Sequence, residues 1–107
     1  MATYKVLGQL QPAANTLSTL YTVPAATQAV ASTLVMCNTG SLDATVRVAV
    51  RPTGASIDPK HYIIYNSTLP SYDSQFLTIG LSLNATDVVS VQASTATVSF
   101  NLFGSEI

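Results

Sequence analysis

Charge is what this sequence has least of. Four Lys and Arg and five Asp and Glu are spread over 107 residues, for a formal net charge of −1. A small free-standing protein ordinarily covers itself with such side chains. The four cations, Lys5, Arg47, Arg51 and Lys60, form no patch in sequence. Binding to nucleic acid or to an anionic membrane surface is therefore not expected. Cysteine is almost absent: Cys37 stands alone, which excludes an intramolecular disulfide and leaves the fold to packing. Tryptophan is missing, and the five glycines are dispersed, so no Gly-rich phosphate cradle forms. Thr, Ser and Gln interrupt every uncharged stretch, so neither a signal peptide nor a transmembrane helix is expected. The chain is expected to be made and folded inside a cell.

What is present is apolar and neutral polar. Hydrophobic residues make up 48% of the chain, and mean hydropathy is +0.38. The length fits one domain, 1–107, able to bury a real core. A surface of Thr, Ser, Ala, Asn and Gln loses its water at low cost, because no ion is stripped of hydration. Such a surface suits a protein held against other protein.

The hydrophobic period is two throughout. In Val46-Arg47-Val48-Ala49-Val50-Arg51 three valines point one way, and two arginines and an alanine the other. Leu77, Ile79, Leu81 and Leu83 alternate with Thr78, Gly80 and Ser82. Val89, Val91 and Ala93 behave likewise, as do Val98, Phe100 and Leu102. The spacing predicts strands near 3–10, 17–23, 28–37, 44–51, 61–66, 76–82, 87–93 and 96–103. Turns fall at Pro12 and Asn15, Pro24-Ala25-Ala26, Asn38 to Ser41, Pro52 to Pro59, Asn66 to Ser74, Asn84 to Asp87, and Ser94-Thr95. About eight short strands with polar turns predict an all-β fold: a single-domain antiparallel β-sandwich, jelly-roll-like.

Leu7, Leu20, Val35, Ile64, Val88 and Phe103 fall out of phase with their strands' main apolar sets. Two readings stand side by side. Bulges or register changes turn these residues inward, or they form a second apolar surface buried against a partner. The shortage of charge around them favours the second. Tyr62, Tyr65 and Tyr72 flank one predicted loop beside His61. They cap the end of the sandwich, anchor an interface, or stack on sugars. These nine residues are the candidate interface.

No catalytic, cofactor or metal site is expected. Asp58-Pro59-Lys60-His61 places a carboxylate near the single imidazole but supplies no nucleophile or third ligand, and reads as a loop ending in a surface histidine. Cys37 and His61 are formally a nucleophile and a base, yet Cys37 ends an apolar strand, where a buried, inert thiol is expected. Asp43, Asp58, Asp73 and Asp87 lie in or beside loops, where carboxylates can hold calcium, but none share EF-hand-like spacing. Asn66-Ser67-Thr68 and Asn84-Ala85-Thr86 match the glycosylation sequon and read as turn composition.

Several runs occur in a recognisable order. They are Thr19-Leu20-Tyr21-Thr22-Val23-Pro24-Ala25, Cys37-Asn38-Thr39-Gly40, Val46 to Arg51, Lys60-His61-Tyr62-Ile63-Ile64-Tyr65 and Asp87-Val88-Val89-Ser90-Val91, with the ending Ser99 to Ile107. Together they resemble small virion structural proteins of tailed bacteriophages, frequent in phages of aquatic bacteria including cyanobacteria. The likeness covers nearly the whole chain and is one of pattern, without a catalytic signature. It implies a β-sandwich and a non-enzymatic assembly role, foremost a capsid decoration (cement) protein in the virion, assembled in the host cytoplasm. Its partners would be the major capsid protein or other virion proteins, and it would form a homo-oligomer, with a trimer favoured because cyclic symmetry matches lattice axes. A tail, neck, baseplate or fibre-attachment subunit is the alternative place. A receptor- or glycan-binding module is the alternative class.

Overall fold

Eight strands are laid down in an order that pairs first with last. In the computed structural model, which describes residues 2–107, they are β1 (Thr3–Leu10), β2 (Ser18–Thr22), β3 (Ala29–Asn38), β4 (Ala44–Arg51), β5 (Tyr62–Leu69), β6 (Ser74–Leu83), β7 (Val88–Ala93) and β8 (Val98–Glu106). One antiparallel sheet has the order β1-β8-β3-β6 and the other β2-β7-β4-β5. The chain is thus a long antiparallel ribbon, β1 to β4 lying against β8 to β5, rolled into two layers, which is the jelly-roll form of the sandwich. The expected all-β sandwich is what the chain adopts, and both sheets share one core.

That core follows from the alternation. Val46 and Val48 are fully buried, and Val50 packs against them from its partly covered place. From the opposite layer come Leu34, Met36, Phe100 and Leu102, with Leu69, Val89 and Val91 alongside. Two glycines let backbones approach. A Cβ on Gly8 would collide with the carbonyl of Leu20, and one on Gly104 with the carbonyl of Val30.

The phase breaks are bulges. In β1 the register against β8 shifts between Val6 and Gly8, and in β2 it shifts against β7 between Thr19 and Tyr21. The residue skipped in each case is Leu7 or Leu20, and each turns into the core. In β3 the skipped residue is Ser32, opposite β6 at Ile79 and Gly80, where Gly80 takes φ +59°. In β5 the pairing with β4 slips on both sides of Val48, which swings Ile64 against the core. Val88 is covered for a different reason: the Pro52–Gly54 turn folds over it, pinned by the Thr53 N–H donating to Asp87 Oδ1 at 3.0 Å. Leu7, Leu20, Ile64 and Val88 therefore belong to this chain's own interior, correcting their assignment to a partner surface.

Two strand ends also differ from expectation. Asn66 does not end β5; it adopts φ +55° inside the strand, which continues to the fully buried Leu69. β8 likewise runs on to Glu106, because Gly104 to Glu106 pair with β1 and β3 at once.

At one end of the sandwich Tyr21 reaches from β2 to the other sheet and donates its hydroxyl to Glu106 Oε2. Lys5 Nζ holds Glu106 Oε1 at 3.2 Å, the one ion pair among the described residues. The Tyr21 bond, then Lys5, hold the Glu106 carboxyl below its usual range, with desolvation opposing. Burial first, and Glu106 second, push the Tyr21 phenol upward. A carboxyl that binds its proton less readily when folded stabilises the fold above the ordinary carboxylate range, near pH 4.3, and loses that contribution as pH falls through its lower folded value. The phenol has the opposite sign: its contribution is complete below about pH 10 and fades above. The melting-temperature advantage of the native chain over Glu106→Gln should shrink between pH 6 and pH 3. An advantage that stays constant across that range would show that the carboxylate does not tie the sheets.

Candidate functional site

The outer faces of the two sheets differ in chemistry. On the β1-β8-β3-β6 sheet, Ala29, Ala31, Leu34 and Met36 of β3 point to the core, so Val30 and Val35 point outward. Register then builds the outer rows. Tyr4, Ser105, Val30 and Ser82 lie side by side, then Val6, Phe103, Thr33 and Thr78, then Gln9, Asn101, Val35 and Phe76. Gln9 Nε2 donates to Asn101 Oδ1 at 2.7 Å across this face. Lys5 and Glu106 are the only charged residues in these four strands, and both lie on inward rows with Ala31 and Ala29. The outward rows thus carry no charged side chain; Lys5, about half exposed on the edge strand β1 and paired with Glu106, is the one charge that reaches the cleft described next. Tyr4 is 85% exposed and Phe76 70%, with Val6 and Val30 more than a third exposed. An apolar cleft of about 550 Å³ lies between Tyr4, Val30 and Phe103, with Lys5, Ser32, Gly104 and Ser105 also lining it.

The β2-β7-β4-β5 sheet presents arginine and tyrosine. Arg47 stacks its guanidinium 4.3 Å from the centre of the Tyr65 ring, and its Nε donates to Asn66 Oδ1 at 2.7 Å. Tyr62 meets Tyr65 edge-on, ring centres 4.9 Å apart and planes at 76°. Pro59 joins both tyrosines around a second depression. Arg51 is held by Ser90 Oγ at 3.2 Å and the Ala55 carbonyl at 3.0 Å. The bulge at Asn66 aims Tyr65 and Asn66 together at Arg47. Tyr and Arg in preorganised clusters are the side chains that dominate protein interfaces.

The expected tyrosine trio is not one group. Tyr72 is exposed at a positive φ of 56°, beyond the far end of β5, with its N–H on the Gly40 carbonyl. Because β5 runs from Tyr62 to Leu69, its whole length separates Tyr72 from Tyr62. Of the nine candidates, Val35 and Phe103 fall on the uncharged face, and Tyr62 and Tyr65 on the arginine face. Sequence reasoning missed Tyr4, Val6, Val30 and Phe76. For Tyr4 and Val6 the available signal was Gly8 beside Leu7, since a glycine within a strand marks a bulge that inverts the faces before and after it.

The titratable residues are engaged in structure. His61 is buried, not a surface residue, and its Nδ1 accepts the Asp58 N–H at 3.1 Å while Asp58 Oδ1 accepts the Lys60 N–H, closing a reciprocal cap on a short turn. Cys37 is partly exposed on the uncharged face rather than buried, between Ser74 and Ser99. It sits beside Asn38, whose amide reaches Leu69 at the end of β5, whereas His61 precedes the start of β5, so the two do not meet. Asp43 accepts the Ser71 N–H, and Asp87 accepts those of Thr53 and Asn84. No group of three His, Cys, Asp or Glu side chains suited to a metal occurs among the described residues. None of the helices among the described residues is long and apolar enough to cross a membrane. No protein-family model, no curated protein and no solved structure matches the chain.

Proposed function

We propose that this protein is a virion structural protein of a tailed bacteriophage, a capsid decoration subunit that stabilises the shell through protein–protein contacts. The observation that carries the reading is the pair of contact surfaces on opposite sheets. One is uncharged and apolar, around Tyr4, Val30 and Phe76; the other is the Arg47–Tyr65–Tyr62 cluster. A subunit that bridges neighbours needs two separate surfaces, and these two differ in chemistry, so they suit different partners. The arginine–tyrosine surface suits the major capsid protein or another virion protein, since Arg and Tyr are the side chains that most often anchor the centre of a protein interface. Each bound copy favours the assembled shell by mass action. The resemblance of the sequence runs to phage virion proteins points the same way.

Quantitative mass spectrometry of purified particles, with antibody labelling, tests this. A copy number approaching that of the capsid protein, with label over the shell, is expected. A few copies with label at the tail would move the protein to the tail, neck or baseplate. Absence from the particle would end the virion reading.

A further inference from the structure

We infer that the outer face of the β1-β8-β3-β6 sheet is a self-association surface, on which a second copy of this chain docks face to face about a two-fold axis. This pairing is independent of where the protein resides.

Three observations select the occupant. The first is charge. The outward rows carry no ionised side chain, and the one cation that lines the cleft, Lys5, is already neutralised by Glu106 at 3.2 Å. A charged partner surface would lose hydration here and gain no counter-charge. A surface of the same kind strips no ion of its hydration, and this face meets its own copy without setting unpaired like charges opposite each other.

The second is shape. The face holds both a projection and a recess. Phe76 stands 70% exposed on β6, and the cleft between Tyr4, Val30 and Phe103 opens over β1, β8 and β3. In an isologous contact, residue i of one copy meets residue j of the other and the reverse. A two-fold axis lying between the facing sheets exchanges the two positions, so each Phe76 enters the other copy's cleft.

The third is area. Four strands ~4.8 Å apart and about nine residues long at ~3.4 Å each cover roughly 600 Å² in projection. Side chains standing out of the sheet bring the accessible area toward the ~800 Å² that each partner of a standard interface contributes. A single sheet face closes flush against one copy. It does not close flush around a three-fold axis, so the expected trimer gives way to a pair on this surface.

Sedimentation and light scattering of the full chain at micromolar concentration test the pairing. The native chain should run at twice its chain mass. Phe76→Lys and, separately, Tyr4→Lys should weaken the dimer by ~30-fold or more, the loss expected of an interface hot spot. Both side chains are exposed in the single chain, so circular dichroism and melting of the diluted monomer should be unchanged. Tyr65→Lys, on the opposite sheet, should leave the dimer intact. A native monomer at all concentrations, a trimer, or a dimer indifferent to Phe76→Lys and Tyr4→Lys would each overturn the inference. A dimer absent from phage particles leaves the pairing standing and removes the virion reading; a monomer abundant in particles does the reverse.

Discussion

Asn38→Asp should unfold this protein at neutral pH or bring it to the edge of unfolding. Asn38 is fully buried at the end of β3. Its amide nitrogen donates to the Leu42 carbonyl at 2.8 Å and the Leu69 carbonyl at 3.2 Å. Its Oδ1 accepts the Gly40 N–H at 3.0 Å and the Thr97 hydroxyl at 2.9 Å. One side chain so ties together the β3–β4 loop, the end of β5 and the β7–β8 turn. Aspartate keeps the acceptor but sets a second oxygen against two carbonyl oxygens, and adds a charge with no counter-ion. A cost of about 3–5 kcal/mol follows, a large part of the ~5–15 kcal/mol that holds a typical domain together. Burial raises the new carboxyl's affinity for a proton, and the protonated acid regains one donor. Urea unfolding should therefore show the variant's deficit narrowing from pH 7 to pH 4. An equal deficit at both values would mean that packing, and not donor polarity, is what Asn38 supplies.

The same residue shows how far the sequence could be read. Asn38-Thr39-Gly40 reads correctly as a turn, because Asn and Gly favour turns. That its amide is the buried joint of three connections depends on Thr97 and Leu69, 59 and 31 residues away, and no local pattern encodes that. Strands were legible wherever alternation ran unbroken, as in β4 and β7. Faces were not, because one inserted residue exchanges them. Leu7 is the clearest case. Strict alternation groups Tyr4 and Val6 with Leu10 and puts Leu7 outside; the bulge at Leu7 sends Tyr4 and Val6 outward and Leu7 in. The uncharged face was thus hidden by the same irregularity that made Leu7 look like a partner contact. The scarcity of charge retains its meaning, now attached to a definite surface: of nine charged residues only Lys5 and Glu106 lie in the strands of that sheet, and they are paired with each other. His61 was misplaced for another reason. Its imidazole returns to the Asp58 N–H, a role ordinarily taken by Glu or Gln at that position of a cap.

Val48→Asp should be the most damaging single change in the core, and Arg47→Ala one residue earlier should be mild. Val48 is fully buried, flanked by Ile64 of β5 and Val91 of β7, with Leu34, Phe100 and Leu102 in the facing layer. Replacing it removes about 1.5–3 kcal/mol of apolar burial. It also leaves a buried carboxyl among apolar side chains that can offer it no hydrogen bond. The two costs together exceed ~4 kcal/mol, enough to populate the unfolded chain at physiological temperature. Arg47 points the other way, into solvent beside Tyr65 and Asn66. Removing it loses a surface cation–π contact and one exposed hydrogen bond, about 1 kcal/mol in all. Circular dichroism should show native strand content in Arg47→Ala and its loss in Val48→Asp. The pair also separates folding from assembly. Arg47→Ala should keep the sandwich and the β1-β8-β3-β6 face while dismantling the arginine–tyrosine cluster, so under the proposed function a folded Arg47→Ala protein that forms the proposed dimer but fails to join particles would place the proposed particle contact on β4 and β5. On the proposed decoration role, an Arg47→Ala protein that still joins particles would place the particle contact away from this cluster.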